Sequence, residues 1–81
     1  MYYLYILQCK DGSLYTGITT DLLRRLEEHK SGKGGRYTRA KGAVKMLYSE
    51  KCKNRSLASK REAAVKRLAR EEKMTLVKKK G

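Results

Sequence analysis

Residues 2–19 set the fold of this chain and read Tyr-Tyr-Leu-Tyr-Ile-Leu-Gln-Cys (2–9), Lys-Asp-Gly-Ser (10–13) and Leu-Tyr-Thr-Gly-Ile-Thr (14–19). The first and last segments are rich in aromatic and aliphatic side chains, a composition that indicates β-strands. In the first segment these side chains occupy both alternating positions, which is typical of a strand covered on both faces. The middle segment is a turn signal, so the stretch is predicted to form a β-hairpin.

The length of the turn determines which side chains share a face of this hairpin. Residues 11–12 (Asp-Gly) could form a two-residue turn, or residues 10–12 (Lys-Asp-Gly) a three-residue loop with a left-handed glycine. The longer loop places Tyr5 opposite Gly17 and on the same face as Tyr15. The shorter turn puts the two tyrosines on opposite faces, because a shift of one residue reverses every side chain. Both loops remain open at this point.

A helix is predicted after the hairpin, from Thr20 to Ser31, with Thr20 as its N-cap and Gly32 at its end. Residues 31–42 are predicted to be a glycine-rich basic connector. A third strand is expected at residues 44–50.

A long basic helix is expected from Asn54 or Ser56 to about Glu71, followed by a short helix. Together with the hairpin and the third strand, these elements predict an α+β fold. Residues 1–81 are too few for two independent cores, so a single domain is expected.

The charge of the chain indicates its class of partner. Lys and Arg number 21 against 8 Asp and Glu, which gives a net charge of +13. This excess points to a polyanion, and nucleic acid is the first choice. A membrane is not expected, since no apolar run approaches the roughly 20 residues that span a bilayer and the basic helices lack Trp and Phe. The separated Cys9 and Cys52 predict reduced thiols and a cytoplasmic location.

Glu62 is an acid within a basic helix. By helical periodicity it lies on the same side as Ala58, Val65 and Ala69, so it points inward along the apolar stripe. A carboxylate there must be paired or bind a cation, or else stay protonated. Alternatively Ser59 and Glu62 form a capping box at the start of the helix. The apolar stripe continues upstream of Ser59 and favours the inward acid.

Arg25 and His29 are one turn apart on the first predicted helix, at the border of the stripe that contains Leu22 and Leu26. An arginine at this border can bind a phosphate through two parallel hydrogen bonds. The alternative for Arg25 is an ordinary surface ion pair with Asp21, worth less than about 1 kcal/mol.

The glycine-rich connector mixes positive charge, an aromatic ring and residues that allow close backbone approach. This combination suits contacts with a nucleic-acid backbone, and it lacks the spacing of a P-loop. The alternative is a flexible connector without a binding role. The candidate binding residues are Lys33, Arg36, Tyr37, Arg39 and Lys41.

The spacing of these motifs resembles the GIY-YIG nuclease superfamily, and in particular its small stand-alone bacterial branch. The residues that carry the resemblance are Tyr3-Leu4-Tyr5, Tyr15-Thr16-Gly17, Arg25, His29, Glu62 and the loop segment Gly32-Lys33-Gly34-Gly35-Arg36-Tyr37-Thr38-Arg39. The resemblance implies a three-stranded antiparallel sheet flanked by helices. It requires Tyr5 and Tyr15 on one face and therefore selects the three-residue loop, with Gly17 leaving space beside the Tyr5 ring.

The resemblance also implies a metal-dependent endonuclease that hydrolyses phosphodiester bonds, in DNA rather than RNA. Glu62 would be the protein ligand of one Mg²⁺ or Mn²⁺ ion, and Arg25 would neutralise charge on the phosphate. Tyr5, helped by Tyr15 or His29, would take a proton from the attacking water. The alternative function is a non-catalytic nucleic-acid-binding module on the same scaffold.

Overall fold

A three-stranded antiparallel sheet in the order β2-β1-β3 lies at the centre of the protein. The computed structural model describes residues 1–80, apart from the side chains of Tyr37 and Lys80. The elements are β1 (Tyr2–Cys9), β2 (Leu14–Thr19), α1 (Leu22–Lys30), α2 (Arg36–Lys41), β3 (Ala43–Cys52), α3 (Arg55–Lys66) and α4 (Arg70–Lys80). The predicted α+β class with a three-stranded antiparallel sheet flanked by helices is confirmed.

The hairpin of β1 and β2 has the three-residue loop. Tyr5 pairs with Gly17 and Leu7 with Tyr15. The amide of Cys9 donates to the carbonyl of Ser13 at 2.9 Å, and Gly12 between them has a φ of +85°. A two-residue turn would also require a positive φ at Asp11, and no residue other than glycine has a positive φ within the described part of the chain, so the backbone adopts the longer loop.

The two faces of the sheet carry different layers. Leu4 and Ile6 of β1 form a fully buried cluster with Val65 of α3, and Leu68 and Leu76 pack against it. Successive residues of a strand point to opposite faces, so Tyr5 projects away from this cluster. It meets α1, where its ring lies against His29. The helices α3 and α4 thus pack on one face and α1 on the other.

Helix α1 begins one residue later than predicted. Asp21, not Thr20, is its N-cap: the Asp21 carboxylate accepts from the amide of Arg24 at 3.1 Å. The hydroxyl of Thr19 accepts from the Asp21 amide at 3.1 Å, and the backbone of Asp21 is extended. The helix ends at Lys30 and is followed by Gly32 with a φ of +83°, as the position of that glycine predicted.

The glycine-rich connector contains a helix that was not predicted. Residues 36–41 form α2, which lies between Gly35 and Gly42, both with positive φ. Thr38 in the middle of α2 is 1% exposed. A helix of six residues is too short to be stable by itself, so α2 depends on such buried contacts.

The predicted long basic helix is two helices. Asn54 caps the first by accepting from the amide of Leu57 at 2.9 Å, which selects it over Ser56 as the start. The prediction that this helix runs to Glu71 is wrong, since α3 ends at Lys66. The carboxylate of Glu72 accepts from the amide of Ala69 and caps the start of α4. Within residues 1–80, no helix is both long and apolar enough to cross a bilayer.

Candidate active site

The hydroxyl of Tyr5 is the centre of a buried polar cluster between β1 and α1. It lies 2.8 Å from Nε2 of His29, and Nε of Arg25 donates to it at 3.4 Å. Tyr5 and His29 are each 1% exposed. Arg25 and His29 reach the same oxygen because they are one helical turn apart on the face of α1 that covers the sheet. The structure therefore brings together three of the predicted site residues.

Tyr15 completes an aromatic cluster beside this hydroxyl. Its ring centroid is 6.3 Å from that of Tyr5 and 5.2 Å from that of His29. Gly17 lies underneath: a Cβ at this position would be 2.7 Å from Cζ of Tyr5 and 3.2 Å from Tyr15. No side chain fits there unless the Tyr5 ring moves, which gives the predicted structural glycine a steric reason.

Arg25 has partners on three sides. Its Nε donates to Tyr5, its Nη1 is 3.0 Å from the carboxylate of Glu28, and its Nη2 donates to the carbonyl of Gly34 at 2.9 Å. The ion-pair partner is thus Glu28, whereas the carboxylate of Asp21 caps the helix. The Arg25 side chain nevertheless stays 30% exposed to solvent.

His29 is enclosed from its other side by the glycine-rich segment. Its Nδ1 lies 2.7 Å from the hydroxyl oxygen of Thr38 in α2. A Cβ on Gly34 would be 2.6 Å from Cγ of His29, so the backbone of residue 34 touches the imidazole ring. Sequence reasoning missed Thr38, Gly34 and Glu28 as members of this cluster. The only signal for Thr38 was its place between Tyr37 and Arg39 in the loop that carries the family resemblance.

The protonation states in this cluster follow from burial. Burial raises the pKa of Tyr5, and the hydrogen bond from Arg25 opposes that effect without cancelling it. Burial and the charge of Arg25 lower the pKa of His29 below its ordinary value. The hydrogen bond to Tyr5 raises the pKa of Arg25 further. At neutral pH the cluster therefore holds a protonated tyrosine, a neutral histidine and a charged arginine.

Glu62 lies within α3 and not at its start. Because α3 begins at Arg55, the alternative of a capping box between Ser59 and Glu62 is wrong. Ala58 and Val65, on the same side of the helix, are fully buried, as predicted. Ala69, which was expected to extend this stripe, lies outside α3 and is exposed.

The Glu62 carboxylate is partly accessible to solvent. Its side chain is 25% exposed, and Lys66 approaches it to 3.5 Å. Burial is the main cause of the raised pKa of Tyr5, and the negative charge of Glu62 is the smallest contribution to it. Among residues 1–80 there is no cluster of three or more His, Cys, Asp or Glu side chains that could enclose a metal. A lone carboxylate suits Mg²⁺, which retains much of its water, and does not suit a structural zinc or a pair of metal ions.

The candidate nucleic-acid-binding residues fall into two groups. Lys33, Arg36 and Arg39 are exposed around α2. Lys41 is exposed too, but its ammonium group is 3.0 Å from the carboxylate of Asp11 in the hairpin loop. The side chain of Tyr37 lies outside the described part of the structure, so its predicted role stays a prediction.

Comparison with known proteins agrees with this arrangement. Residues 1–75 match the family model described as the GIY-YIG catalytic domain. A UPF0213 protein of Desulfotalea psychrophila is 55% identical over 78 residues, which cover 95% of this chain and 71% of that protein. A UPF0213 protein of Streptococcus agalactiae is 50% identical over 76 residues, covering 94% and 86%. The solution NMR structure of a UPF0213 protein from Bacillus halodurans is 46% identical, with a TM-score of 0.63 over 100% of this chain and 87% of that one.

Proposed function

The chain belongs to the GIY-YIG catalytic domain family, a nuclease-type fold, and from this premise we propose that it is a metal-dependent endonuclease that hydrolyses DNA phosphodiester bonds. One observation carries the proposal. A tyrosine hydroxyl, a neutral imidazole and an arginine meet at a single buried point, which is the composition expected of a general base next to a phosphate-binding cation.

Tyr5 and His29 would generate the nucleophile. The proton of Tyr5 moves to Nε2 of His29, and the tyrosine oxygen then takes a proton from a water molecule. A tyrosine with a pKa near 10 is a poor base at pH 7, and burial raises the pKa of Tyr5 further, so the step needs the imidazole as proton acceptor together with positive charge that stabilises the phenolate, as Arg25 supplies. The hydroxide oxygen bonds to phosphorus, the bond to the 3′ oxygen breaks, and that oxygen takes up a proton from solvent.

Arg25 would bind the phosphate and uncover the base. Tyr5 is only 1% exposed, with the guanidinium of Arg25 against its hydroxyl. When Arg25 turns its Nη atoms towards a phosphate, it exposes the tyrosine oxygen to water. In that position its charge stabilises the negative phosphoryl oxygens of the transition state.

Glu62 would hold a single divalent ion, Mg²⁺ or Mn²⁺, which when bound supplies positive charge to the phosphate and to the leaving 3′ oxygen. The partial exposure of the Glu62 carboxylate, which leaves it accessible to a hydrated ion, supports this role. The exposed Lys33, Arg36 and Arg39 would bind the flanking backbone of DNA. We place the activity in the cytoplasm, where thiols such as the two free cysteines remain reduced.

A second candidate is a nucleic-acid-binding module that has lost catalysis. The observation that favours it is the ion pair between Arg25 and Glu28, which engages the phosphate-binding group in a protein contact. Charge and scaffold would be the same in both cases, so cleavage is what separates the two functions.

The deciding experiment is cleavage of supercoiled plasmid and of branched DNA with Mg²⁺ or Mn²⁺. Metal-dependent nicking is expected for the wild type and is expected to be lost in Glu62→Gln and Arg25→Ala. Glu71→Gln is the matched control, because Glu71 is an exposed acid of α4. Equal nicking by Glu62→Gln would contradict the proposed metal site. Binding without cleavage on every substrate would favour the second candidate.

A further inference from the structure

The side chain of Thr38 is buried against the imidazole of His29. Thr38 is 1% exposed, and its hydroxyl oxygen lies 2.7 Å from Nδ1, on the side of the ring opposite to Tyr5. The imidazole is thus held between two hydroxyl groups, one at each nitrogen. Each hydroxyl can donate or accept, so the proton positions follow from the remaining partners.

The donors and acceptors along this series of hydrogen bonds select one tautomer of His29. Arg25 has only donors, so the Tyr5 oxygen accepts from it, and the proton of Tyr5 is directed to Nε2 of His29. Neutral imidazole carries one N–H, which must then be on Nδ1 and donates to Thr38. The hydroxyl of Thr38 in turn donates a hydrogen bond to the carbonyl of Gly35, 3.5 Å away.

We propose that Thr38 is a positioning residue that fixes His29 in the Nδ1–H tautomer and so keeps Nε2 ready to accept the proton of Tyr5. The inference rests on the proposed function, in which that proton transfer generates the base. The hydrogen bond from Nδ1–H to Thr38 is present before the transfer and persists when His29 becomes doubly protonated. Thr38 therefore supports both states without changing its own orientation.

The glycine-rich segment is built to deliver this contact. Gly34 packs its backbone on the His29 ring and accepts from Arg25, which fixes the path of the segment into α2. The charged groups that act on His29 are Arg25 and Glu28 of its own helix. Its ring neighbours from the sheet are the aromatic rings of Tyr5 and Tyr15. Thr38 is the neutral contact that α2 contributes at Nδ1.

The test uses the fact that the chain contains a single histidine. In protein with ¹⁵N-labelled histidine, long-range ¹H–¹⁵N NMR at a pH where the ring is neutral reports the protonation of each nitrogen. A protonated Nδ1 and an unprotonated Nε2 are expected in the wild type. In Thr38→Val, which keeps the shape but removes the hydroxyl, we expect the Nε2–H form to appear. Thr38→Ser should restore the wild-type pattern.

Cleavage provides the second readout. Thr38→Val should lower kcat by about tenfold or more, since it impairs a general-base step, while the Kd for DNA stays unchanged. Thr38→Ser should retain most of the activity. A backbone ¹H–¹⁵N spectrum of each variant checks that the fold is intact, and the wild-type measurement decides the tautomer even if Thr38→Val does not fold.

The outcomes separate this inference from the proposed function. An Nε2–H tautomer in the wild type, or an unchanged tautomer in folded Thr38→Val, would overturn the role of Thr38 whether or not the protein cleaves DNA. The expected tautomers in a protein that cleaves no substrate would instead support the hydrogen-bond chain and refute the nuclease function.

Discussion

The hydroxyl oxygen of Tyr5 and Nε2 of His29 are 2.8 Å apart, at a point where a central strand meets the helix that covers it. The hairpin register creates this contact, because pairing of Tyr5 with Gly17 turns the tyrosine towards α1. Burial shifts the two groups in opposite directions, raising the pKa of Tyr5 and lowering the pKa of His29. Both groups are therefore neutral at pH 7, which fits a hydrogen bond from the tyrosine hydroxyl to the imidazole nitrogen.

Stability should decrease as the pH falls below the ordinary histidine pKa of 6.5, because the folded pKa of His29 lies lower. Between the folded and the unfolded pKa of His29, the unfolded chain binds a proton that the folded chain excludes. The free energy of unfolding therefore decreases as the pH is lowered through this range. The measurement is the Tm between about pH 7.5 and about pH 5, the range in which histidine titrates. In His29→Gln the slope should be smaller. A wild-type Tm that is flat across this range would contradict the lowered pKa.

The hairpin, the third strand and α1 were predictable because their signals are local: segments rich in aromatic and aliphatic residues, a turn with glycine and a helix-ending glycine. Helix α2 was not, since its six residues are stabilised by the burial of Thr38 and not by their own propensity. The break after Lys66 was also missed. The residues on both sides of this break are good helix formers, so the sequence gives no local signal for it. In the structure Leu68, within the break, and Leu76 of α4 both pack against the core.

The candidate site was predictable to a similar extent. Helical spacing placed Arg25 beside His29, and the family resemblance selected the loop that turns Tyr5 towards them. Contacts made by Thr38 and Gly34 depend on how the glycine-rich segment folds back over α1, and no periodic pattern records such a path. The pairing of Arg25 with Glu28 was hidden for a different reason. Asp21 also lies one helical turn from Arg25, so the sequence spacing allows either acid as its partner. In the structure the Asp21 carboxylate caps the helix, and Glu28 pairs with Arg25.

Gly17→Ala should destabilise the protein by about 1–3 kcal/mol, the usual cost of overpacking. The added methyl group would overlap the ring of Tyr5, whose Cζ would lie only 2.7 Å away. Urea unfolding gives the free energy directly. Thr20→Ala is the control, because Thr20 is exposed immediately after the same strand and should change stability little. Equal stability of the two variants would mean that the Tyr5 ring can move freely, contrary to its packing.

Glu28→Gln should strengthen DNA binding in the absence of divalent metal. The Glu28 carboxylate is 3.0 Å from Nη1 of Arg25, so it competes with a phosphate for that group and repels it. The measurement is the Kd for a fluorescent DNA duplex in EDTA. Glu27→Gln is the matched control, since it removes the same charge from an exposed position on the same helix.

A double-mutant cycle makes the Glu28 prediction specific. If the carboxylate acts through Arg25, Glu28→Gln should have little additional effect in an Arg25→Ala background. The same gain in affinity for Glu27→Gln and Glu28→Gln would instead show that only the net charge matters.

Replacing basic residues around α2 should reduce the salt dependence of DNA binding. Lys33 and Arg39 are exposed beside the candidate site, and each phosphate contact contributes about 0.9 to the slope of log Kd against log salt concentration. Lys33→Ala and Arg39→Ala should each lower the slope by about that amount, measured by fluorescence anisotropy over a series of NaCl concentrations. Lys41→Ala should lower the slope less, because Lys41 already pairs with Asp11.

Lys78→Ala is the control for these variants, as Lys78 is exposed on α4, which packs on the other face of the sheet. A loss of slope as large for Lys78→Ala as for Lys33→Ala would show that DNA binds through the overall charge and not through the α2 surface.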